Sequence, residues 1–261
     1  MKFCTLASGS SGNCTVVFHG NTYILIDAGI SLRRICASLK GLKITPDMLD
    51  AVFITHSHSD HIGALRAAAE SFRVPVFAPE GECGAIAAAA PEAEPFLNAF
   101  PAGSTFQLGD LEIASFRTPH DTPESVGYCV RAGGRAFALA TDLGYLTNTV
   151  VDAVSGADAA VLESNHDLRM LKTGPYPRYL KQRILGPGGH LSNDDCGVLA
   201  AALAESGTKR ILLAHLSREN NTPEAAYTTV CASLKARDCL PDRDISVCVA
   251  PRCVMSPVFD V

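Results

Sequence analysis

The chain is 261 residues long, 47% hydrophobic and 19% charged, with a formal net charge of −5. Such length and apolar content supply a large buried core and exclude a disordered chain, and the mild acidity excludes a polycation that grips nucleic acid by bulk charge. Its 10 cysteines are scattered from Cys4 to Cys253 with no C-x-x-C pair, which excludes a small disulfide framework and points to reduced thiols in a cytosol.

In chain order, Lys2 precedes a brief apolar strand, Phe3 to Ala7, with neither the apolar stretch nor the cleavage site of a secretory signal. Leu6 to Asn13 is a Gly/Ser loop in which Ser8, Gly9, Ser10, Ser11 and Asn13 surround backbone N–H groups able to cradle an anion such as phosphate; the same composition also makes an ordinary turn. Cys14 to Phe18 and Thr22 to Ile26 alternate about His19-Gly20-Asn21 and predict a hairpin, and Ser31 caps a helix to about Leu39. Val52-Phe53-Ile54 is a short two-sided strand, and Ile62 begins the next helix. Val74 to Phe77 is a strand and Pro79 to Ala90 an Ala-rich helix, whose apolar part, Ala85 to Ala90, ends at Pro91, far short of the roughly 18 residues of a membrane span. Leu111 to Phe116 leads into a second round: a hairpin of Val126 to Val130 and Arg135 to Leu139 about Gly133-Gly134, then strands at Ala159 to Leu162 and Arg210 to Leu213. Helices near Asn193 to Glu205 and Pro223 to Lys235 alternate with these strands. Cys14, Cys129 and Cys248 fall in apolar strands and read as core packing. No linker or low-complexity segment interrupts the pattern, so one domain is expected over residues 1–261.

One stretch carries chemistry directly. In Thr55-His56-Ser57-His58-Ser59-Asp60-His61, three of the chain's 8 histidines stand beside an aspartate just after a buried strand. His56 and His58 point to the same side of an extended segment, and Asp60 with His61 at the helix start folds back toward them. Imidazole and carboxylate donors so concentrated predict a divalent metal site suited to zinc, manganese or iron. A second feature is the run from Leu168 to Ser192, which holds five cations, Arg169, Lys172, Arg178, Lys181 and Arg183, and no acid. Tyr176 and Tyr179 interleave with them, so the strip reads either as a polyanion site with bases stacked on the tyrosines or as a solvated helix face.

The His56 to His61 pattern resembles the HxHxDH signature of the metallo-β-lactamase superfamily. That resemblance implies further donors at later strand ends, where this chain has His120, Asp142 and His215. It implies two divalent ions, one held by His56, His58 and His120, the other by Asp60, His61 and His215, with Asp142 between them. It also implies an α/β fold, a four-layer αβ/βα sandwich with the dinuclear site at the sheet edge, which the two rounds of strands and helices fit. One such centre serves β-lactams, thioesters, lactones and phosphodiesters alike, so the branch decides the substrate.

Several segments together resemble the YycJ/WalJ family over essentially the entire chain: Leu6 to Asn13, Thr118 to Asp121, Thr141 to Tyr145, Glu163-Ser164-Asn165-His166-Asp167, Gly189-His190-Leu191-Ser192-Asn193 and His215 to Glu224. Members are bacterial nucleases with 5′-exonuclease activity on DNA attributed to the family. The resemblance therefore implies a cytoplasmic, metal-dependent phosphodiesterase whose partner is nucleic acid, DNA favoured over RNA, with no membrane. Attack would come from a hydroxide held between the two ions and oriented by Asp60 and Asp142. His166 or His190 would donate a proton to the leaving oxygen or clamp a phosphate, the two being unranked. Ser8, Gly9, Ser10, Ser11, Asn13, Asn165, Arg178 and Lys181 would contact substrate. Asp142 and His215 stand too close to admit the large insertion of one nuclease branch, which shortens the expected footprint. The alternatives are a small-molecule hydrolase of a thioester, lactone or cyclic phosphodiester, and a metal-stabilised binding protein without turnover.

Overall fold

The computed structural model describes residues 1–261, and in it the apolar runs become two seven-stranded sheets. The first aligns β1 (Lys2–Ala7), β2 (Cys14–His19), β3 (Thr22–Ile26), β4 (Ala51–Phe53), β5 (Val76–Pro79) and β6 (Leu97–Phe100) in chain order. The second aligns β7 (Thr105–Leu108), β8 (Leu111–Arg117), β9 (Val126–Ala132), β10 (Arg135–Ala140), β11 (Ala159–Glu163), β12 (Arg210–Ala214) and β13 (Ser246–Val249). A last strand, β14 (Phe259–Asp260), returns to pair with β1. Apart from the β1–β14 pair, antiparallel neighbours are consecutive in the chain, whereas β3 to β6 and β10 to β13 are parallel. Parallel neighbours need crossovers, most of them helical here. On the first sheet these include α1 (Leu32–Gly41), α2 (Ser59–Ile62), α3 (Leu65–Phe72) and α4 (Glu80–Ala89). The second sheet carries α5 (Asn148–Val154), α6 (Leu168–Thr173), α7 (Arg178–Ile184), α8 (Asn193–Glu205) and α9 (Pro223–Lys235).

Alternation along the strands sorts the core into three apolar layers. Ile24, Ile26 and Phe53 meet Tyr128, Phe137, Leu139, Val161 and Leu212 between the sheets. On the outer faces, Leu25 and Val52 pack against Ile35, Leu39 and Leu65, and Leu162, Ile211 and Leu213 against Leu199, Val230 and Leu234. Helix, sheet, sheet and helix make the expected four-layer sandwich. No helix is long and apolar enough to cross a membrane.

Strand direction positions the functional edge. β1 and β3 both run antiparallel to β2, and β8 and β10 both run antiparallel to β9. Within each sheet, therefore, the ends of β1, β3 and β4, or of β8, β10, β11 and β12, open at one edge. The two edges meet: the His215 N–H donates to Ser8 Oγ at 2.8 Å, and buried Tyr128 donates its hydroxyl to Ile54 O at 2.5 Å just before the histidine stretch.

Some elements differ from the sequence reading. The strand at Val74 begins instead at Val76, because Pro75 has no N–H for the ladder. β6, β7 and β14 were not anticipated; they are short, part-exposed edge strands without a sustained apolar run, whereas the strand expected around Cys248 is the edge strand β13, in which Cys248 is only partly buried. The cationic strip is not one helix but two, α6 and α7, broken at Gly174-Pro175.

Candidate metal centre

Four of the donors stand one to three residues beyond a strand end: His56 after β4, His120 after β8, Asp142 after β10, His215 after β12. Asp27, Asp142 and His215 adopt left-handed backbone, φ 62°, 60° and 56°, which turns the chain sharply at the edge. A non-glycine residue in that region is strained, and such strain gathers at functional sites.

The donors converge in overlapping groups whose ligand atoms lie within 4.8 Å of one another: His56, His58 and His120; His56, His61 and Asp142; Asp60, His61 and His215; and Asp142, Glu163, His190 and His215. Between groups of facing donors, His58 Nδ1 to His120 Nε2 is 3.2 Å, His61 Nε2 to Asp142 Oδ2 is 3.4 Å, and His215 Nε2 to Asp60 Oδ2 is 3.4 Å. Donors bonded to one tetrahedral cation at about 2.0–2.1 Å stand about 3.3–3.4 Å apart, so these separations fit divalent metal. Two further atoms agree: His56 Nε2 and Asp142 Oδ2 are buried without a hydrogen-bond partner. Orphaned donors and acceptors of this kind are costly unless something binds them.

A ring of supporting groups fixes which nitrogen each imidazole presents. His61 Nδ1 donates to Asp27 Oδ2 at 2.7 Å, and His120 Nδ1 to Gly189 O at 3.1 Å. Glu163, fully buried, accepts from Nδ1 of both His190 and His215 at 2.8 Å through Oε1, and from the backbone of Leu143 and Leu191 through Oε2. Carboxylate–imidazole pairs of this kind orient the rings of metal sites and raise their basicity. Burial alone would depress His61, but Asp27, Asp142 and Asp60 outweigh it and push it up to about 9. His215 rises in the same way, against burial, under Asp142, Asp60 and Glu163. Conversely, nearby imidazoles overcome burial to hold Asp142 well below the carboxylate range, and His190 and His215 bring Glu163 to about 2. For His56, burial and the neighbouring imidazoles outweigh the pull of Asp142 and hold it well below the usual histidine range. A field that draws protons onto buried imidazoles also draws metal cations.

The metallo-beta-lactamase superfamily profile matches residues 7–215. Over 240 residues the chain is 36% identical to an exodeoxyribonuclease YycJ of Bacillus anthracis, covering 91% of this chain and 90% of that protein. It is likewise 36% identical over 245 residues to an exodeoxyribonuclease WalJ of Streptococcus pneumoniae serotype 2 strain D39, covering 91% and 89%. The chain belongs to the YycJ/WalJ family of the metallo-β-lactamase superfamily. Its fold also matches the metallo-beta-lactamase fold protein YhfI from Bacillus subtilis, with a TM-score of 0.69 at 16% identity over 98% of both chains.

In this YycJ/WalJ-family chain a cleft of about 160 Å³ adjoins the donors, lined among others by Ser10, Asp121, Asn165, Tyr176, Arg183 and His190. Of the two histidines left unranked, His190 lines that cleft, whereas His166 is 1% exposed, both its ring nitrogens lack partners, and burial brings it down to about 4. Ser10 and Asn165 face the cleft, but Ser8 holds the His215 backbone, and Asn13 is spent on Gly9 N, at 2.8 Å, and on Asp60 Oδ2, at 3.3 Å. Gly9 therefore has no free N–H for an anion. Ser11 and Arg178 are exposed and outside the cleft lining, and Lys181 gives its ammonium to the carbonyls of Lys172 and Gly174. Arg183, from the same strip, is the cation at the cleft; its Nε donates to Asp121 Oδ2 at 2.6 Å. Asp27 and the role of Glu163 were missed by sequence reasoning. The available signal was position alone, a carboxylate at the end of a buried strand, and such carboxylates are common.

Proposed function

We propose that this chain is a cytoplasmic, single-domain phosphodiesterase that removes nucleotides from DNA ends with divalent metal. The observation that carries the reading is the cleft beside the donor groups, walled by Arg183, Tyr176, Ser10 and Asn165 and thus suited to a sugar–phosphate. The names borne by the two relatives agree with it. His56, His58 and His120 would hold one ion, Asp60, His61 and His215 the other, with Asp142 serving both; zinc, manganese and iron all suit this set. Bound there, two such ions supply Lewis acidity toward the phosphate and activate the attacking water.

The chain's own groups bind and orient. Asp60, held by Asn13, aligns the attack. Glu163 accepts the Nδ1–H of His190, so Nε2 is the atom that holds or moves a proton at a substrate oxygen. Ser10, Asn165 and Arg183 bind the phosphate. His166 supports the loop from behind through its pairing with Ser192. End-labelled 5′-phosphorylated duplex DNA, matched single strand and RNA, each with manganese or zinc, test the reading. Wild type should shorten DNA stepwise and His58→Ala should not. Metal-loaded protein that cleaves no polymer but turns over a small thioester, lactone or cyclic phosphodiester would replace this reading with the small-molecule one.

A further inference from the structure

A second cleft, of about 280 Å³, opens on the other flank of the His120 turn, and the phosphodiesterase reading assigns it no role. The turn divides the two: Asp121 lines the first cleft, and His120 and Thr122 line the second. Each cleft pairs a tyrosine with an arginine, Tyr176 with Arg183 in the first and Tyr145 with Arg117 in the second. The second differs in charge. Asp121 answers Arg183, whereas no carboxylate lines the cleft of Arg117, whose guanidinium is engaged through one nitrogen, to Pro123 O at 3.1 Å. Thr149 adds a hydroxyl, and Thr122 Oγ1 is buried without a hydrogen-bond partner. Tyr145 lies three residues past Asp142 and remains 51% exposed, a large ring left to solvent beside the donors.

We propose that this second cleft seats the nucleic-acid strand on the side of the scissile phosphate opposite the Arg183 cleft, with a base on the Tyr145 ring and a backbone phosphate at Arg117. The proposal rests on the phosphodiesterase reading and adds a second binding site to it. An aromatic face accepts any base, and a guanidinium with hydroxyls and no competing acid accepts the sugar–phosphate. A strand drawn across the donors fills one cleft on each side, and the His120 turn sits under the bond between.

The chain contains no tryptophan, so Tyr145→Trp places a single indole reporter in the cleft. Tyr179→Trp, on α7 where the native ring is 73% exposed, is the comparison. Oligothymidylate should quench the Tyr145→Trp fluorescence saturably, and inorganic phosphate at equal concentration should not. In a second measurement, Tyr145→Ala should lower kcat/KM on oligothymidylate, relative to that on bis(p-nitrophenyl) phosphate, about tenfold through KM. Oligothymidylate that is cleaved while Tyr145→Trp stays silent and the Tyr145→Ala ratio is unmoved overturns this assignment and leaves the nuclease reading standing. Oligothymidylate neither cleaved by wild type nor sensed by either tryptophan variant overturns both.

Discussion

Glu163 has a 0% exposed carboxylate that spends both oxygens on four partners: two imidazoles of the centre and two backbone N–H groups. Glu163→Gln keeps the shape but turns one acceptor into a donor, so at least one imidazole loses its anchor. Metal affinity should fall about 10–100-fold, read by titration against a competing chelator. An unchanged dissociation constant would show that His215 needs no such anchor. The His56 to His61 group was readable in sequence because its donors are consecutive and their local geometry is nearly dictated by a strand end and a helix start. Glu163 was not, because its partners His190 and His215 lie 27 and 52 residues away. Locally it is marked only as an acid at the end of an apolar strand.

At the scale of elements, α7 decides which cations matter. Composition marks Arg178, Lys181 and Arg183 alike, but one helical face turns Arg183 to the cleft, while Lys181 closes the end of α6 and Arg178 meets solvent. Arg183→Gln should therefore raise KM for DNA about fivefold or more at physiological salt, and Arg178→Gln less than about twofold. Equal effects would mean that the strip acts as diffuse charge. A second element-scale case is the start of β11, where Asp158 accepts from Ala136 N at 2.9 Å and Arg135 at 2.6 Å and so ties it to β10. Burial alone would raise its carboxyl, but the Ala136 N–H and Arg135 outweigh it and hold it below the usual range. The folded state thus favours the ionised form, and its contribution is present above the ordinary carboxylate pKa and lost as pH falls through the lowered one. Asp158→Asn should lower the urea midpoint at pH 7, and the gap from wild type should close below about pH 4. A gap independent of pH would assign the effect to packing instead.

For the molecule as a whole, the centre joins two sheets. His56, His58, Asp60 and His61 follow β4 of the first, and His120, Asp142 and His215 follow β8, β10 and β12 of the second. A cation shared between them would tie the layers in the folded state alone, so zinc or manganese at about 100 times its dissociation constant should stabilise the fold by about 2.7 kcal/mol. Thermal melts with and without metal check this, and Asp142→Ala should lose most of the shift; an undiminished shift would take Asp142 out of the shared position. Sequence order and residue type already carried the two rounds of strands, the HxHxDH group and the family, because period-2 alternation and consecutive donors are local properties. The anchors of the imidazoles, the choice of His190 over His166 at the cleft, the turning of Arg183 inward and the second cleft at Tyr145 were decided by three-dimensional packing. Each depends on residues distant in the chain meeting where two sheet edges coincide, and no local pattern encodes that meeting.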